Sequence, residues 1–187
     1  MKTKFLVLLV LSCVLGSLFA TKTAFCQTKV NQIKTEKAIF GAGCFWGVEE
    51  TFRQLPGVVS TAVGFCGGTV ADPSYERVCV GDTKHAEVVE VIYDPKQISY
   101  HNLLKTFFSC HDPSTLNRQG LDIGEQYRSV IFYTSPEQEK EALAAKEEWQ
   151  KKAGRGATTV IEVAKPFYKA EEYHQRYLEK RGLSSCH

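Results

Sequence analysis

Apolar positions along this chain recur with two alternating rhythms, and the switches between them outline the fold. Ala38 to Gly43 is a short apolar run, read as a strand. Phe45, Val48, Phe52 and Leu55 then fall on one helical face, and Pro56-Gly57 stops it. Val58 to Phe65 returns to strand character and ends at Gly67-Gly68. Thr69 to Lys84 reads as a loop, and His85 to Tyr93 as a β-branched strand closed by Asp94-Pro95. A helix follows from about Ser99 to Cys110, with Leu103, Leu104, Phe107 and Phe108 on its apolar side. His111 to Gln126 is a polar loop long enough to suggest a functional role. Tyr127 to Tyr133 is a strand, and Ser135-Pro136-Glu137-Gln138 has the form of a capping box opening a helix to about Lys152. A strand over Thr158 to Ala164 and a helix over Ala170 to Arg181 complete the order. Its first six elements follow a split βαβ pattern. The expected class is therefore α+β, a two-layer sandwich with a ferredoxin-like βαββαβ core and extra helices.

The first residues stand apart. Lys2 and Lys4 precede an apolar stretch from Phe5 to Ala20, the pattern of a secretory signal with a cut after Ala20. Residues 21–36 read as a polar tail, 37–181 as the catalytic domain and 182–187 as a mobile tail. An exported protein, periplasmic or secreted, is expected. An uncleaved leader, or lipidation at Val10-Leu11-Ser12-Cys13, is the tethered alternative, weakened because the apolar stretch continues beyond Cys13.

Composition narrows the function classes. The 187 residues are 43% hydrophobic and 24% charged, ordinary for one globular domain. A net charge of +2 with scattered basic residues argues against nucleic acid as the main partner. Seven cysteines would suit a disulfide framework, but no C-x-x-C pair occurs. Neither a zinc site nor a vicinal dithiol is expected, and no cofactor is implied. A redox role for one or two cysteines fits better than a stapled scaffold.

Cys44 is the foremost candidate. It lies in Gly43-Cys44-Phe45-Trp46-Gly47, between the first strand and the first helix. A thiol there faces the unpaired N–H groups and positive end of the helix dipole, which favour thiolate. An acid partner is offered by His85-Ala86-Glu87-Val88-Val89-Glu90-Val91-Ile92-Tyr93. Glu87 shares a face with Val89 and Val91, and Glu90 shares the other with Val88 and Ile92. Desolvation on an apolar face raises a carboxylate pKa, but periodicity leaves the choice between the two open.

Six ordered blocks extend this picture: Gly43-Cys44-Phe45-Trp46-Gly47, Tyr75-Glu76-Arg77-Val78-Cys79, His85 to Val91, His111-Asp112-Pro113-Ser114-Thr115, Asp122 to Ser129, and Glu171-Glu172-Tyr173-His174-Gln175. Together they resemble the class A peptide methionine sulfoxide reductase family, from about Lys37 to the end. The resemblance implies that Cys44 attacks the sulfoxide sulfur and that Glu87 protonates its oxygen. It implies that Tyr75 and Tyr127 donate to that oxygen, that Asp122 supports the site, and that Phe45 and Trp46 hold the S-methyl group. It further implies a sulfenic acid on Cys44, resolved by Cys186 to a disulfide and recycled by thioredoxin or an equivalent dithiol. Oxidised proteins are the implied substrates, and reduction of the S epimer the implied reaction.

Cys66, Cys79 and Cys110 are expected to pack as small hydrophobes. Three departures from the family pattern stand out. Lys84 occupies a place where glycine is frequent, Cys66 replaces a small non-thiol residue and adds a second possible resolving thiol, and the tail carries one cysteine rather than two. Two rival classes remain: a thiol peroxidase or hydrolase, which would want an Arg or His beside Cys44, and a non-catalytic domain using Phe45 and Trp46 as a binding patch.

Overall fold

A computed structural model describes residues 34–184. The leader, most of the polar tail and Cys186 lie outside the described residues. Strands β1 (Glu36–Ala42), β2 (Val58–Cys66) and β3 (Ala86–Tyr93) alternate with helices α1 (Phe45–Arg53), α2 (Tyr75–Val80) and α3 (Tyr100–Cys110). Two short strands, β4 (Arg118–Gln119) and β5 (Asp122–Ile123), pair with each other inside the long loop. Then come β6 (Ser129–Tyr133), α4 (Pro136–Ala153), β7 (Val160–Val163), β8 (Tyr168–Lys169) and α5 (Tyr177–Lys180).

The main sheet has the order β7-β6-β1-β3-β2-β8. Its middle four strands, each antiparallel to the next, are the ferredoxin-like core. β7 adds to one edge parallel to β6, and β8 adds to the other edge antiparallel to β2.

Alternation along the strands assigns the two faces. Ala38, Phe40 and Ala42 of β1 and Val89, Val91 and Tyr93 of β3 join Phe52, Leu103, Leu104 and Phe107 in the main core. Phe40 is its centre, fully buried, with its ring 5.0 Å from Phe52 and 5.3 Å from Phe107. Ile39, Cys66, Ala86, Val88, Val130 and Phe132 face the other way and are covered by Ala164 and Phe167. Gly64 leaves room there for the neighbouring strand and the Phe167 ring: a Cβ on it would fall 2.3 Å from the Tyr168 carbonyl oxygen and 2.6 Å from that ring.

Helix α4 starts where its capping sequence predicts. Ser135 accepts from the Gln138 N–H at 3.3 Å, while Gln138 reaches back to the Thr134 N–H at 2.9 Å. The Gln138 amide also donates to the Lys37 carbonyl at 2.7 Å, which ties α4 to β1.

Three expectations need correction. The segment 69–84 contains α2, a helix too short for periodicity to reveal, although Ser74 caps it. β8 was not anticipated. The helix expected over Ala170 to Arg181 shrinks to Tyr177–Lys180. Gln175 explains the loss: its buried side chain accepts from the Val63 N–H and donates to the Val63 and Ala170 carbonyls, at 2.9 Å each. These bonds hold the preceding segment against β2, and Arg176 then turns through a left-handed conformation.

A polar strut ties α3 to the start of β6 and to the residue before the edge strand β7. His111 Nδ1 donates to the Phe107 carbonyl, and its Nε2 accepts from Ser129 Oγ, both at 2.7 Å. Ser129 Oγ lies 2.8 Å from Thr159 Oγ1. Burial pushes the His111 pKa down to about 4, against the Phe107 hydrogen bond and the Asp112 charge. The unfolded chain then binds more protons than the folded one between about pH 6.5 and about pH 4. Stability contributed by neutral His111 is complete above that window and is lost as pH falls through it. Urea unfolding from pH 7 to 4 should show wild type losing up to about 3 kcal/mol more than His111→Gln.

Candidate active site

The site is built at the start of α1. Gly43 adopts φ +94°, a left-handed turn that L side chains rarely take, and this swings the chain from β1 into the helix. Cys44 occupies the N-cap position with extended-type angles (φ −56°, ψ 118°), its carbonyl accepting from the Val48 N–H at 3.3 Å. The half-buried Cys44 therefore stands at the end of α1 whose first N–H groups lack partners within the helix, and its side chain makes no capping hydrogen bond to them.

One of those N–H groups finds a carboxylate. The Phe45 N–H donates to Glu87 Oε2 at 3.0 Å. Glu87 pairs with Phe65 across β2–β3 and is 2% exposed, on the face covered by α1. Glu90 points to the opposite face and pairs with Lys37 at 3.2 Å. The structure thus brings Glu87, and not Glu90, to the helix end that carries Cys44.

Tyr75 and Tyr127 approach from two other segments. Tyr75 is the first residue of α2, and its ring packs 6.3 Å from Phe45. Tyr127 ends a 3-10 turn over Glu125–Tyr127. Burial is the largest cause raising both hydroxyls above the ordinary tyrosine value. A hydrogen bond to Cys79 and the charges of Cys79 and Glu87 add to it for Tyr75. The ionisable groups Glu87, Cys79, Asp122 and Cys44 push Tyr127 in the same direction. Both phenols remain protonated donors at neutral pH, and the same electrostatics place Cys44, Glu87, Asp122 and Tyr127 in one neighbourhood.

The aromatic wall is larger than Phe45 and Trp46. Phe45 is 1% exposed, so it backs the wall, whereas Trp46 is half-buried. His174, missed as a site residue, lies at the centre: its ring is 4.3 Å from Tyr75, 5.3 Å from Phe45 and 5.6 Å from Trp46. Trp46 Nε1–H donates to His174 Nδ1 at 3.0 Å. Tyr177 of α5 stacks on the far side of Trp46, with ring centroids 3.9 Å apart. No local pattern signals this cluster. Only its place in the Glu171 to Gln175 block singled out His174.

The other cysteines separate clearly. Cys66 faces the second core, opposite to Glu87, and donates its S–H to the Lys165 carbonyl at 3.4 Å. Burial pushes its thiol up, as it does Cys110, which rises to about 12. Cys79 does not pack as a small hydrophobe: Val78 takes the inward position of α2, leaving Cys79 exposed and hydrogen-bonded to Tyr75. Lys84 adopts φ +62°, the conformation glycine takes readily, and its ammonium pairs with Glu125 at 3.0 Å. Among the described residues no group of three His, Cys, Asp or Glu side chains converges to hold a metal ion.

Comparison with known proteins decides the lineage. The peptide methionine sulfoxide reductase family profile matches residues 36–187. The chain belongs to the peptide methionine sulfoxide reductase family. It is 62% identical to the peptide methionine sulfoxide reductase MsrA of Methanoculleus marisnigri, over 81% of this chain and 93% of that protein. Reduced Mxr1 from Saccharomyces cerevisiae superposes with a TM-score of 0.77 at 44% identity, over 81% of this chain and 88% of that one. Mxr1 in complex with Trx2 superposes with a TM-score of 0.57 at 32% identity, over 81% and 91% of the two chains.

Within this family site, His174 carries a pH dependence. Burial holds its pKa below the ordinary value of 6.5, opposed by Glu171 and Glu76. Protonation of Nδ1 would remove the acceptor for the Trp46 indole. KM for methionine sulfoxide should therefore rise in wild type at acid pH, with a midpoint below the ordinary histidine value. In His174→Asn, whose amide oxygen can replace Nδ1, that acid limb should vanish. Steady-state kinetics from pH 5 to 8 check this.

Proposed function

We propose that this protein reduces the S epimer of methionine sulfoxide, free or in polypeptides, with Cys44 as nucleophile and Glu87 as acid. The observation that carries the reading is the 3.0 Å hydrogen bond from the Phe45 N–H to Glu87, which sets a buried carboxyl beside the N-cap thiol. The sulfoxide oxygen leaves only when protonated. As Glu87 hands over its proton, the sulfur becomes electrophilic enough for the Cys44 thiolate to attack. Tyr75 and Tyr127, both held protonated, donate to the oxygen as negative charge grows on it. Asp122 supports Tyr127, while Trp46, backed by Phe45, forms the slot for the S-methyl group.

The protonated oxygen then passes from the substrate sulfur to the Cys44 sulfur as the bond between the two sulfurs breaks; methionine leaves with that electron pair, and the thiolate has been oxidised to sulfenic acid. Attack by the Cys186 thiol then expels water and forms a Cys44–Cys186 disulfide. A thioredoxin-type dithiol reduces it and becomes a disulfide itself. Mxr1 in complex with Trx2 supports that choice of reductant. The burial of Cys66 on the far face favours Cys186 as the resolving thiol.

Wild type lacking residues 1–20 should reduce the S epimer alone with dithiothreitol. Cys44→Ser should abolish reduction, and Glu87→Gln should slow it by about 10²-fold or more. Cys186→Ser should keep a single turnover and lose thioredoxin-dependent cycling. An epimer-resolved assay reads all four. Reduction of both epimers, or turnover surviving Cys44→Ser, would contradict the scheme.

Lys2 and Lys4 before the Phe5 to Ala20 stretch support an exported protein processed after Ala20. Intact mass of protein isolated from its native cell should begin at Thr21. A mass that includes Met1 or a lipid would point to tethering instead.

A further inference from the structure

The long loop between α3 and β6 carries Asp122 and Tyr127, and it touches the nucleophile's turn through Gln119. A Cβ added at Gly43 would lie 2.8 Å from both Cβ and Cγ of Gln119, so the glycine backbone rests on the aliphatic stem of that side chain. The far end of the stem is anchored. Gln119 Oε1 accepts from the Asp112 N–H at 3.0 Å. Its Nε2 donates to the Asp112 carbonyl at 2.8 Å and to Thr115 Oγ1 at 3.1 Å.

Asp112 is itself a fixed point. Its carboxylate accepts from the Ser114 N–H and hydroxyl, at 3.0 and 2.7 Å, and pairs with Arg155 at 3.3 Å. On the β4–β5 ladder Gln119 stands opposite Asp122, so the two side chains share a face. All the polar atoms of the Gln119 amide are engaged within the loop. Its action on the reaction is therefore through geometry rather than contact with substrate.

We infer that Gln119 is a positioning residue for the reduction step: its stem braces Gly43 in the left-handed turn that presents Cys44, and its amide fixes the loop that brings Asp122 and Tyr127. This rests on the reading of Cys44 as nucleophile. One side chain thereby sets the distance between the attacking sulfur and the groups that receive the oxygen. An error of about 1 Å in such a distance is enough to cost orders of magnitude in rate.

The test measures single-turnover reduction of N-acetyl-methionine sulfoxide, together with the pH dependence of Cys44 alkylation by iodoacetamide. Gln119→Ala removes both stem and amide. It should slow the single turnover by about ten-fold or more and move the midpoint of the alkylation curve. Gln119→Met keeps the stem and side-chain volume but loses the amide. It should leave the alkylation curve in place while slowing reduction, and it carries the test should the alanine variant fail to fold. Thr158→Val loosens the same loop elsewhere, at the Pro113 and Thr115 carbonyls. It should keep both readouts within about two-fold of wild type.

Wild-type behaviour of Gln119→Ala would overturn the inference. So would Thr158→Val reproducing its losses, or Gln119→Met shifting the alkylation curve as far as alanine does. Turnover that survives Cys44→Ser would instead remove the reading on which the inference rests.

Discussion

A single hydrogen bond from the first N–H of α1 to a carboxyl on β3 organises this molecule. Helix starts leave N–H groups unpaired, and a buried start needs acceptors from elsewhere in the fold. Here the acceptor is Glu87, so the end of the helix and the middle of the sheet satisfy each other. The bond exists only in one register. Phe40 sits opposite Val89 and Phe65 opposite Glu87. A one-residue slip would send Glu87 to the face occupied by Ala86 and Val88. The aromatic stack around Phe40 fixes that register, because Phe52 and Phe107 can close only on the face where Phe40 points. Packing in the core thus determines chemistry at the rim.

The strands were largely legible because alternation is strong and both faces of the sheet are covered. Ser99 and Ser135 marked helix starts correctly, each accepting from an N–H three residues on. What escaped is what long-range contacts decide. α2 has six residues, too few for a period to repeat. The last helix was overdrawn because a pattern that suits a helix is overruled by Gln175, whose amide bonds better with a neighbouring strand than its backbone would within a turn.

The site divides in the same way. Cys44 stands out as a candidate from its junction and its bracketing glycines, since helix ends have a fixed polarity. Glu87 and Glu90 could not be told apart by spacing, because each has apolar neighbours on its own face. The packing of α1 separates them physically. His174 lies 128 positions from Trp46, its hydrogen-bond partner, and so leaves no local trace. Cys79 was misjudged for a related reason: in a helix this short, one position along changes inside to outside.

The Gln175 amide has one more effect. It occupies both main-chain groups of Val63, while Tyr168 and Lys169 pair with Phe65 and Gly64. The half of β2 nearest Cys66 consequently offers no free row of donors and acceptors to a strand from another molecule. An edge left open there would be a template for aggregation. Covered in this way, that stretch of β2 gives a strand from another molecule nothing to pair with.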